Sequence, residues 1–327
     1  MKKHSPEFPS GIAEAEAMLS IRCERNNMIH LKLDGVWAAV WTPVDGNGEL
    51  RESALEKNLS FTLSHGVNGL MVLGSTGEFP HLSLSLRQRV MEKVVALAQG
   101  KPVIANVSDI RPRDAIALGK FAKQLGAAAI SLLPPYFFPL SQDDLLEFFV
   151  RVGEASELPV VLYNFPERTG HVIELDTLSR AADELPLAGI KHSGADFDYL
   201  RPLVELGRSK GFSVLTGNEI RLRDALCLGA VGCVSGLANV VPDLIVPVFR
   251  AGQVELTQTV LLCMERLRSM GQHIDGLTFP LNVAAAMEAR GLDPGAPKAL
   301  VSRATQQRYQ DLVQALRQAF REWNLRP

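Results

Sequence analysis

A tyrosine and a lysine each end a short apolar run in the middle of the chain. Tyr163 ends one run and Lys191 ends the next, with a segment of helical apolar spacing, residues 174–184, between them. Two consecutive strands joined by a helix lie parallel and adjacent, with a right-handed crossover. We therefore predict that both side chains lie at the C-terminal edge of neighbouring strands. A phenol and an amine at the mouth of an apolar interior are suited to proton transfer and nucleophilic attack.

Lys191 is the residue that we expect to react with a substrate. A lysine that closes an apolar strand is removed from water, and desolvation favours the uncharged amine, which is the nucleophilic form. A neutral amine attacks a ketone to give an imine, and the protonated imine then acts as an electron sink. A lone lysine could instead extend along the rim of the fold to solvent. The prediction therefore depends on further polar groups at the same edge.

Three further features supply such groups. The hydroxyl of Tyr163 would shuttle protons, and Arg168, in the loop beyond it, would hold a carboxylate with its planar fork. Two glycines bracket Ser75 and Thr76 after an earlier apolar run, so that backbone N–H groups and hydroxyls can approach a small anion. Taken singly, these are also a buried tyrosine, a surface arginine and a turn of small residues. Together at one edge, they favour a catalytic site.

The elements that would position these residues recur along most of the chain. Apolar runs alternate with segments of helical apolar spacing, as expected for a (β/α)₈ TIM barrel, whose active site lies at the C-terminal ends of its strands. The runs are residues 36–41, 69–73, 103–107, 128–133, 160–163, 188–191, 213–216 and 231–235. The competing fold, an open doubly wound sheet, would need a phosphate-binding glycine fingerprint or a clear switch point. The first strand-to-helix turn, residues 42–46, has neither.

Three regions follow from this pattern. Residues 1–30 are predicted to be a partly ordered or disordered N-terminal extension. Residues 31–252 are predicted to form the catalytic barrel. Residues 253–327 form a C-terminal helical region, with helices predicted at 256–270, 279–289 and 303–323. These helices exceed what closing a barrel requires. They would either cover one end of the barrel or build a subunit interface.

Composition excludes several classes of function. The chain has 327 residues, 46% of them apolar and 21% charged, with a formal net charge of −2. These values are typical of a soluble globular protein and give no sign of nucleic-acid binding or of a membrane span. The four cysteines have no paired or metal-type spacing and predict reduced thiols in the cytoplasm. The seven histidines are scattered, so no metal site is expected.

The chain is similar to the dihydrodipicolinate synthase / N-acetylneuraminate lyase family of class I, Schiff-base-forming lyases. The similarity covers residues 33–320. The similarity rests mainly on the loop at residues 74–78, the segment at residues 163–170, and Lys191. Residues 134–136, 216–218 and 232–236, followed by Asn239, support it.

The resemblance implies a role for each candidate residue. Lys191 would form the imine, Tyr163 would be the proton shuttle, and Ser75 and Thr76 would bind the carboxylate of pyruvate or a related 2-oxo acid. Thr76 would also link to Tyr163. The substrate-binding set is Ser75, Thr76, Arg168, Val234 and Gly217, with Arg168 placed to bind the carboxylate of an aldehyde partner. No cofactor is implied beyond the covalent imine, and a homotetramer built from dimers is expected.

Two positions depart from the family pattern. In the synthase, a second tyrosine follows the Pro-Tyr pair and reaches into the neighbouring subunit's site, whereas this chain has Phe137 there, without a hydroxyl. His192 follows Lys191, where family members usually carry an acid, and we predict a packed or hydrogen-bonded ring. The implied activity is that of a synthase-like lyase. Alternatives are a sugar-acid dehydratase or a 2-keto-3-deoxy acid aldolase using the same imine, or an inactive 2-oxo acid-binding barrel.

Overall fold

A closed barrel of eight parallel strands forms the centre of the protein. The computed structural model describes residues 31–252 and 256–325. Each strand pairs with the next in chain order, and β8 pairs with β1. The strands are β1 Gly35–Ala39, β2 Gly69–Val72, β3 Val103–Asn106, β4 Ala129–Leu132, β5 Val160–Asn164, β6 Leu187–His192, β7 Ser213–Thr216 and β8 Gly232–Ser235. The predicted TIM barrel is confirmed.

Helices alternate with the strands, and three more helices follow the barrel. In the barrel they are α1 Glu52–Ser64, α2 Leu84–Leu97, α3 Pro112–Gln124, α4 Gln142–Ser156, α5 Pro166–Thr169, α6 Leu175–Glu184, α7 Leu200–Lys210, α8 Leu222–Leu228 and α9 Pro242–Ala251. The C-terminal helices are α10 Gln258–Ile274, α11 Leu281–Ala289 and α12 Arg303–Glu322. The three predicted C-terminal helices are thus present within a few residues of their predicted ends. The predicted extension at residues 1–30 lies outside the described residues.

Alternation along the strands builds two apolar cores, one on each face of the sheet. The outer core lies between the strands and the surrounding helices. The inner core fills the barrel and consists of Leu33, Trp37, Ala39, Met71, Ile104, Ala129, Val161, Ala188, Leu215 and Val234. Because both faces of each strand are buried, the strands are nearly continuous apolar runs in the sequence.

Strands β5 and β6 hold the two residues that the sequence singled out. They pair in parallel, with a register shift between Val160 and Val161, and Tyr163 lies directly opposite Lys191. Every position of both strands is buried. The predicted placement of the phenol and the amine on neighbouring strand ends is confirmed.

The C-terminal region is attached to the end of the barrel that carries these residues. Trp41, just after β1, donates its indole N–H to the carbonyl of Pro294 at 2.8 Å. The backbone N–H of Ala296 donates to the carbonyl of Val44 at 2.7 Å. These contacts fit the first of the two alternatives, in which the region covers one end of the barrel. Within the described ranges, no helix combines the length and apolar character needed to cross a membrane.

Candidate active site

Lys191 and Tyr163 are in contact at the C-terminal rim of the barrel. The Lys191 side-chain nitrogen lies 4.1 Å from the centroid of the Tyr163 ring. Both side chains are buried, with exposed fractions of 4% for Lys191 and 2% for Tyr163. The Ser75 hydroxyl lies 3.3 Å from the Tyr163 hydroxyl, within hydrogen-bond reach. The amine thus lies over the face of the phenol ring, and the phenol oxygen lies beside a second hydroxyl.

A cavity of about 250 Å³ opens onto this group. Six of the predicted site residues line it, namely Thr76, Tyr163, Arg168, Lys191, Gly217 and Val234. The seventh, Ser75, lines an adjoining cavity of about 190 Å³, and Arg168 lines both. The structure therefore brings the predicted residues together around two adjoining cavities, both of which Arg168 lines.

The loop at residues 74–78, called the hydroxyl loop below, presents Ser75 and Thr76. Internal backbone hydrogen bonds close it, from the Gly77 N–H to the Gly74 carbonyl at 3.0 Å and from the Glu78 N–H to the Ser75 carbonyl at 3.1 Å. Among the hydrogen bonds of the described residues, none joins Thr76 to Tyr163. The link to the phenol that was predicted for Thr76 is made by Ser75, while Thr76 faces the larger cavity.

A short helix positions Arg168. Helix α5 begins at Pro166, whose fixed φ suits a first helical position, and ends at Thr169, just before Gly170 with its φ of 76°. The guanidinium carbon of Arg168 lies 5.9 Å from the centroid of the Phe165 ring and 5.7 Å from that of Phe279. The two rings hold an exposed cation over both cavities, where it can meet an anionic substrate group.

Gly217 is required by close packing around the reactive amine. A Cβ atom at this position would lie 1.8 Å from the Ser193 hydroxyl and 3.2 Å from the Cε atom of Lys191. Val234, on β8, is 1% exposed and belongs to the inner core while it also lines the cavity. These two residues shape the space beside the Lys191 side chain.

His192 points away from the cavity, as predicted. Its Nδ1 atom accepts from the Asn164 amide at 3.1 Å, and its Nε2–H donates to the Asp196 carbonyl at 2.9 Å. The Asn164 carbonyl oxygen accepts from the Ile173 N–H at 3.0 Å, which fixes the orientation of the amide. Burial lowers the pKa of His192, an effect that the Asp196 carbonyl opposes. The ring is therefore a neutral, fully hydrogen-bonded group that ties the ends of β5 and β6 together.

Glu219 is a cavity residue that the sequence reasoning missed. It lies just beyond β7 and is 9% exposed. One carboxylate oxygen, Oε1, accepts from the Ser235 hydroxyl at 2.9 Å and from the Leu237 N–H at 2.8 Å. Its position past a strand end is the signal that could have identified it. The carboxylate gives the cavity an acidic wall.

The C-terminal helices also contribute to the cavity. Ile274, Phe279, Asn282 and Val283 line it together with the barrel residues. No local sequence signal marks them, because they reach the site only through the packing of the C-terminal region on the barrel. The lining of the cavity is thus shared between the barrel and the C-terminal region.

Phe137 is on the surface of this single chain. It is 84% exposed, and its ring packs edge-on against that of Phe138, with 4.9 Å between the centroids. Its backbone φ of 85° is unusual for an aromatic residue. The preceding residue, Tyr136, lines the smaller cavity, and burial raises the pKa of its hydroxyl.

The arrangement suits chemistry on a small anion. A buried amine can act as a nucleophile, a phenol and a hydroxyl can relay protons, and a guanidinium can bind a carboxylate. Across residues 31–252 and 256–325, no group of three or more His, Cys, Asp or Glu side chains is arranged to hold a metal ion.

Comparison with known proteins identifies relatives over nearly the whole chain. The model of the dihydrodipicolinate synthetase family matches residues 32–319. A 4-hydroxy-tetrahydrodipicolinate synthase of Methanopyrus kandleri is 32% identical over 302 residues, which cover 90% of this chain and 98% of the relative.

Solved structures of similar proteins share the fold. The chloride-inhibited dihydrodipicolinate synthase of Acinetobacter baumannii, solved with pyruvate, matches with a TM-score of 0.81 and 28% identity, covering 90% of this chain and 100% of that one. A prophage protein of E. coli K12 from the same family, also solved with pyruvate, matches with a TM-score of 0.80 and 26% identity. That match covers 88% of this chain and 99% of the other.

Proposed function

The chain belongs to the dihydrodipicolinate synthetase family of lyases, and from this premise we propose that Lys191 forms a Schiff base with pyruvate or a related 2-oxo acid. The observation that carries the proposal is the buried contact between Lys191 and Tyr163, 4.1 Å from amine nitrogen to ring centroid, at the edge of a cavity. The Lys191 amine is buried at the edge of the cavity, where a bound ketone can meet its nitrogen. The phenol beside it can move the protons that imine formation requires.

Besides the two substrates and the product, the proposed cycle takes up and releases only water and protons. The Lys191 amine adds to the C2 ketone, and loss of water gives the imine. Removal of a C3 proton then gives an enamine, with the protonated imine nitrogen taking up the electron pair. The enamine carbon attacks an aldehyde, and water releases the product and the amine. Tyr163 would carry protons between Lys191 and the Ser75 hydroxyl, which lies 3.3 Å from the phenol oxygen.

Different residues would bind the carboxylates of the two substrates. Ser75 and Thr76 would bind the 2-oxo acid carboxylate through hydroxyls and backbone N–H groups of the hydroxyl loop. Arg168 lines the same cavity and would bind a second carboxylate, that of an aldehyde partner. Gly217 and Val234 would pack against the bound pyruvyl group. No cofactor is needed in this scheme, since the imine is itself the electron sink.

A second candidate reaction within the family is supported by Glu219. Its Oε1 atom is occupied by Ser235 and Leu237, while the carboxylate lines the catalytic cavity. A carboxylate in this position favours a substrate that donates hydrogen bonds, such as a hydroxylated aldehyde or sugar acid. Phe137 also lacks the hydroxyl that the synthase relay uses. A 2-keto-3-deoxy acid aldolase or a sugar-acid dehydratase is therefore the alternative to a true synthase.

Two further properties are proposals of the same kind. We predict a homotetramer built from dimers, which sedimentation would test, and a cytoplasmic location. The relatives solved with pyruvate support a small 2-oxo acid as the partner.

The proposed function can be tested without knowing the aldehyde. Enamine formation exchanges the methyl protons of pyruvate with solvent, so the protein in deuterium oxide should label pyruvate, as read by proton NMR. A binding barrel without turnover would leave the methyl signal unchanged, and that result would refute the proposal.

A substrate panel then separates the members of the class. Aspartate semialdehyde, hydroxylated aldehydes and 2-keto-3-deoxy acids would each be supplied, with pyruvate consumption or release measured. Phe137→Tyr sharpens the comparison, because restoring a relay hydroxyl should raise condensation with aspartate semialdehyde if the chain is a synthase. An unchanged rate in this variant would exclude the relay argument.

A further inference from the structure

We propose that Lys298 is a positioning residue for the hydroxyl loop and that it acts through Glu78. The proposal deepens the function proposed above and rests on it. It gives the C-terminal region a specific part in substrate binding: this region holds the loop that would receive the 2-oxo acid carboxylate.

The contact between the two residues is a largely buried ion pair. The Lys298 ammonium lies 2.8 Å from the Oε1 atom of Glu78, and the side chains are 3% and 11% exposed, respectively. The ammonium also lies 4.8 Å from the centroid of the Trp41 ring. Burial lowers the pKa of the Lys298 amine, and the Glu78 carboxylate opposes that shift. Removing one member would leave the other charge buried without its partner, so the pair holds its geometry firmly.

Glu78 has a backbone conformation that requires support. Its φ of 57° and ψ of 40° place it in the left-handed region, which residues with a side chain rarely adopt. Such conformations persist where surrounding contacts determine them. The Glu78 side chain accepts a hydrogen bond from Lys298, a residue 220 positions further along the chain.

Glu78 is coupled directly to the substrate-binding hydroxyls. Its N–H donates to the Ser75 carbonyl at 3.1 Å, so a shift of Glu78 moves Ser75. Ser75 in turn lies 3.3 Å from the Tyr163 hydroxyl. The pair therefore fixes the end of the loop from which both the carboxylate site and the proton relay are built.

Lys298 is itself held by an anchored segment. Gly295 forms a bridge with Val44, and the N–H of Ala296 donates to the Val44 carbonyl at 2.7 Å. The indole of Trp41 donates to the Pro294 carbonyl at 2.8 Å. Since Trp41 and Val44 lie two and five residues after the end of β1, the segment is fixed to the barrel. Lys298 thus connects the residues that follow β1 to the hydroxyl loop, which follows β2.

The test measures pyruvate methyl exchange as a function of pyruvate concentration, which separates KM from kcat. Lys298→Met and Glu78→Gln should each lower kcat/KM for exchange roughly tenfold or more, mainly through a higher KM for pyruvate, because a misplacement of about 1 Å can cost up to about a hundredfold in rate. The double variant should be no worse than Lys298→Met alone, since the two residues act as one unit. Lys298→Arg, which keeps the charge, should recover most of the affinity.

A matched control separates positioning from stability. Asp243 pairs with buried Arg290 at 2.7 Å, and neither residue lines the catalytic cavity. Asp243→Asn removes an ion pair of the same kind and should lower Tm without changing KM. If Lys298→Met does not fold, the same rise in KM is expected of Glu78→Gln and tests the proposal.

The outcomes distinguish the two proposals. A wild-type KM in Lys298→Met or Glu78→Gln, or an equal rise in Asp243→Asn, would overturn the positioning role while leaving the proposed function intact. A wild-type protein that exchanges no methyl protons would contradict the proposed function, and the positioning role with it.

Discussion

Two layers of side chains inside the barrel differ in chemistry, although the same strands supply both. On β5, Val161 belongs to the inner apolar core, and Tyr163, two residues further on, reaches the cavity. On β6, Ala188 belongs to that core, and Lys191 lies at the cavity. On β5 this follows the two-residue alternation of side chains on one face of a strand. On β6 the step is three residues, because the register shift against β5 leaves one extra residue, Ala188, in this strand.

The comparison indicates what each layer contributes. The apolar layer fills the barrel, excludes water from below and fixes the strand ends. The rim layer has few internal partners for its polar atoms and faces a cavity instead. Mutations in the rim should therefore change turnover with little change in stability, and mutations in the apolar layer should do the reverse.

The largest expected effect is that of Lys191→Ala. Removing the amine removes the imine, so methyl exchange of pyruvate should fall to the background rate. Lys210→Ala is the control, since Lys210 pairs with Asp183 on the outside of the barrel. Residual exchange in Lys191→Ala that depends on protein concentration would assign the reactive amine to another residue.

Tyr163→Phe should follow, with kcat for exchange lowered roughly 10²- to 10⁴-fold, the range for loss of a positioned proton-transfer group. Ser75→Ala should give a smaller loss, since water can replace its hydroxyl beside the phenol. The same NMR assay measures both. Equal rates in Tyr163→Phe and wild type would remove the phenol from the proton path.

A change in the apolar layer should have the opposite signature. Ile104 is fully buried in the inner core, so Ile104→Ala should lower the free energy of unfolding by about 2–5 kcal/mol. Urea unfolding would measure this. The kcat of the folded variant should stay close to that of wild type. A variant that keeps its stability but loses turnover would show that the two layers are not separable.

The smallest expected effect is the pH dependence due to His192, which lies behind the rim. Burial lowers its pKa from the usual 6.5, so the unfolded chain binds the proton first as the pH falls. Its contribution is therefore constant above about pH 6.5, and stability decreases below that pH until the folded protein is also protonated. Of the charged groups near the ring, the Asp196 and Glu167 carboxylates oppose the shift.

The measurement for this prediction is urea unfolding at about pH 7.5 and about pH 5.5, a range that spans the ordinary histidine pKa. His192→Gln should flatten the dependence, whereas His81→Gln, at an exposed histidine, should leave it as in wild type. Equal slopes in His192→Gln and wild type would contradict the assignment.

The sequence predicted the features that depend on local residue patterns. The alternation of apolar runs and helical segments predicted the barrel. The positions of Tyr163 and Lys191 at the ends of consecutive strands predicted that the two side chains lie side by side. The pattern could not predict that Ser75, rather than Thr76, contacts the phenol, because that depends on the path of one loop. Nor could it predict the cavity contacts of Phe279 and Asn282, or the ion pair of Lys298. These depend on how a distant region packs.

The most direct test of the central claim is reduction with borohydride in the presence of pyruvate, followed by proteolysis and tandem mass spectrometry. The account predicts a stable adduct on the side chain of Lys191. It also predicts that reduction without pyruvate leaves that peptide unmodified. An adduct confined to other lysines, or none at all, would contradict a reactive amine at the rim of the barrel.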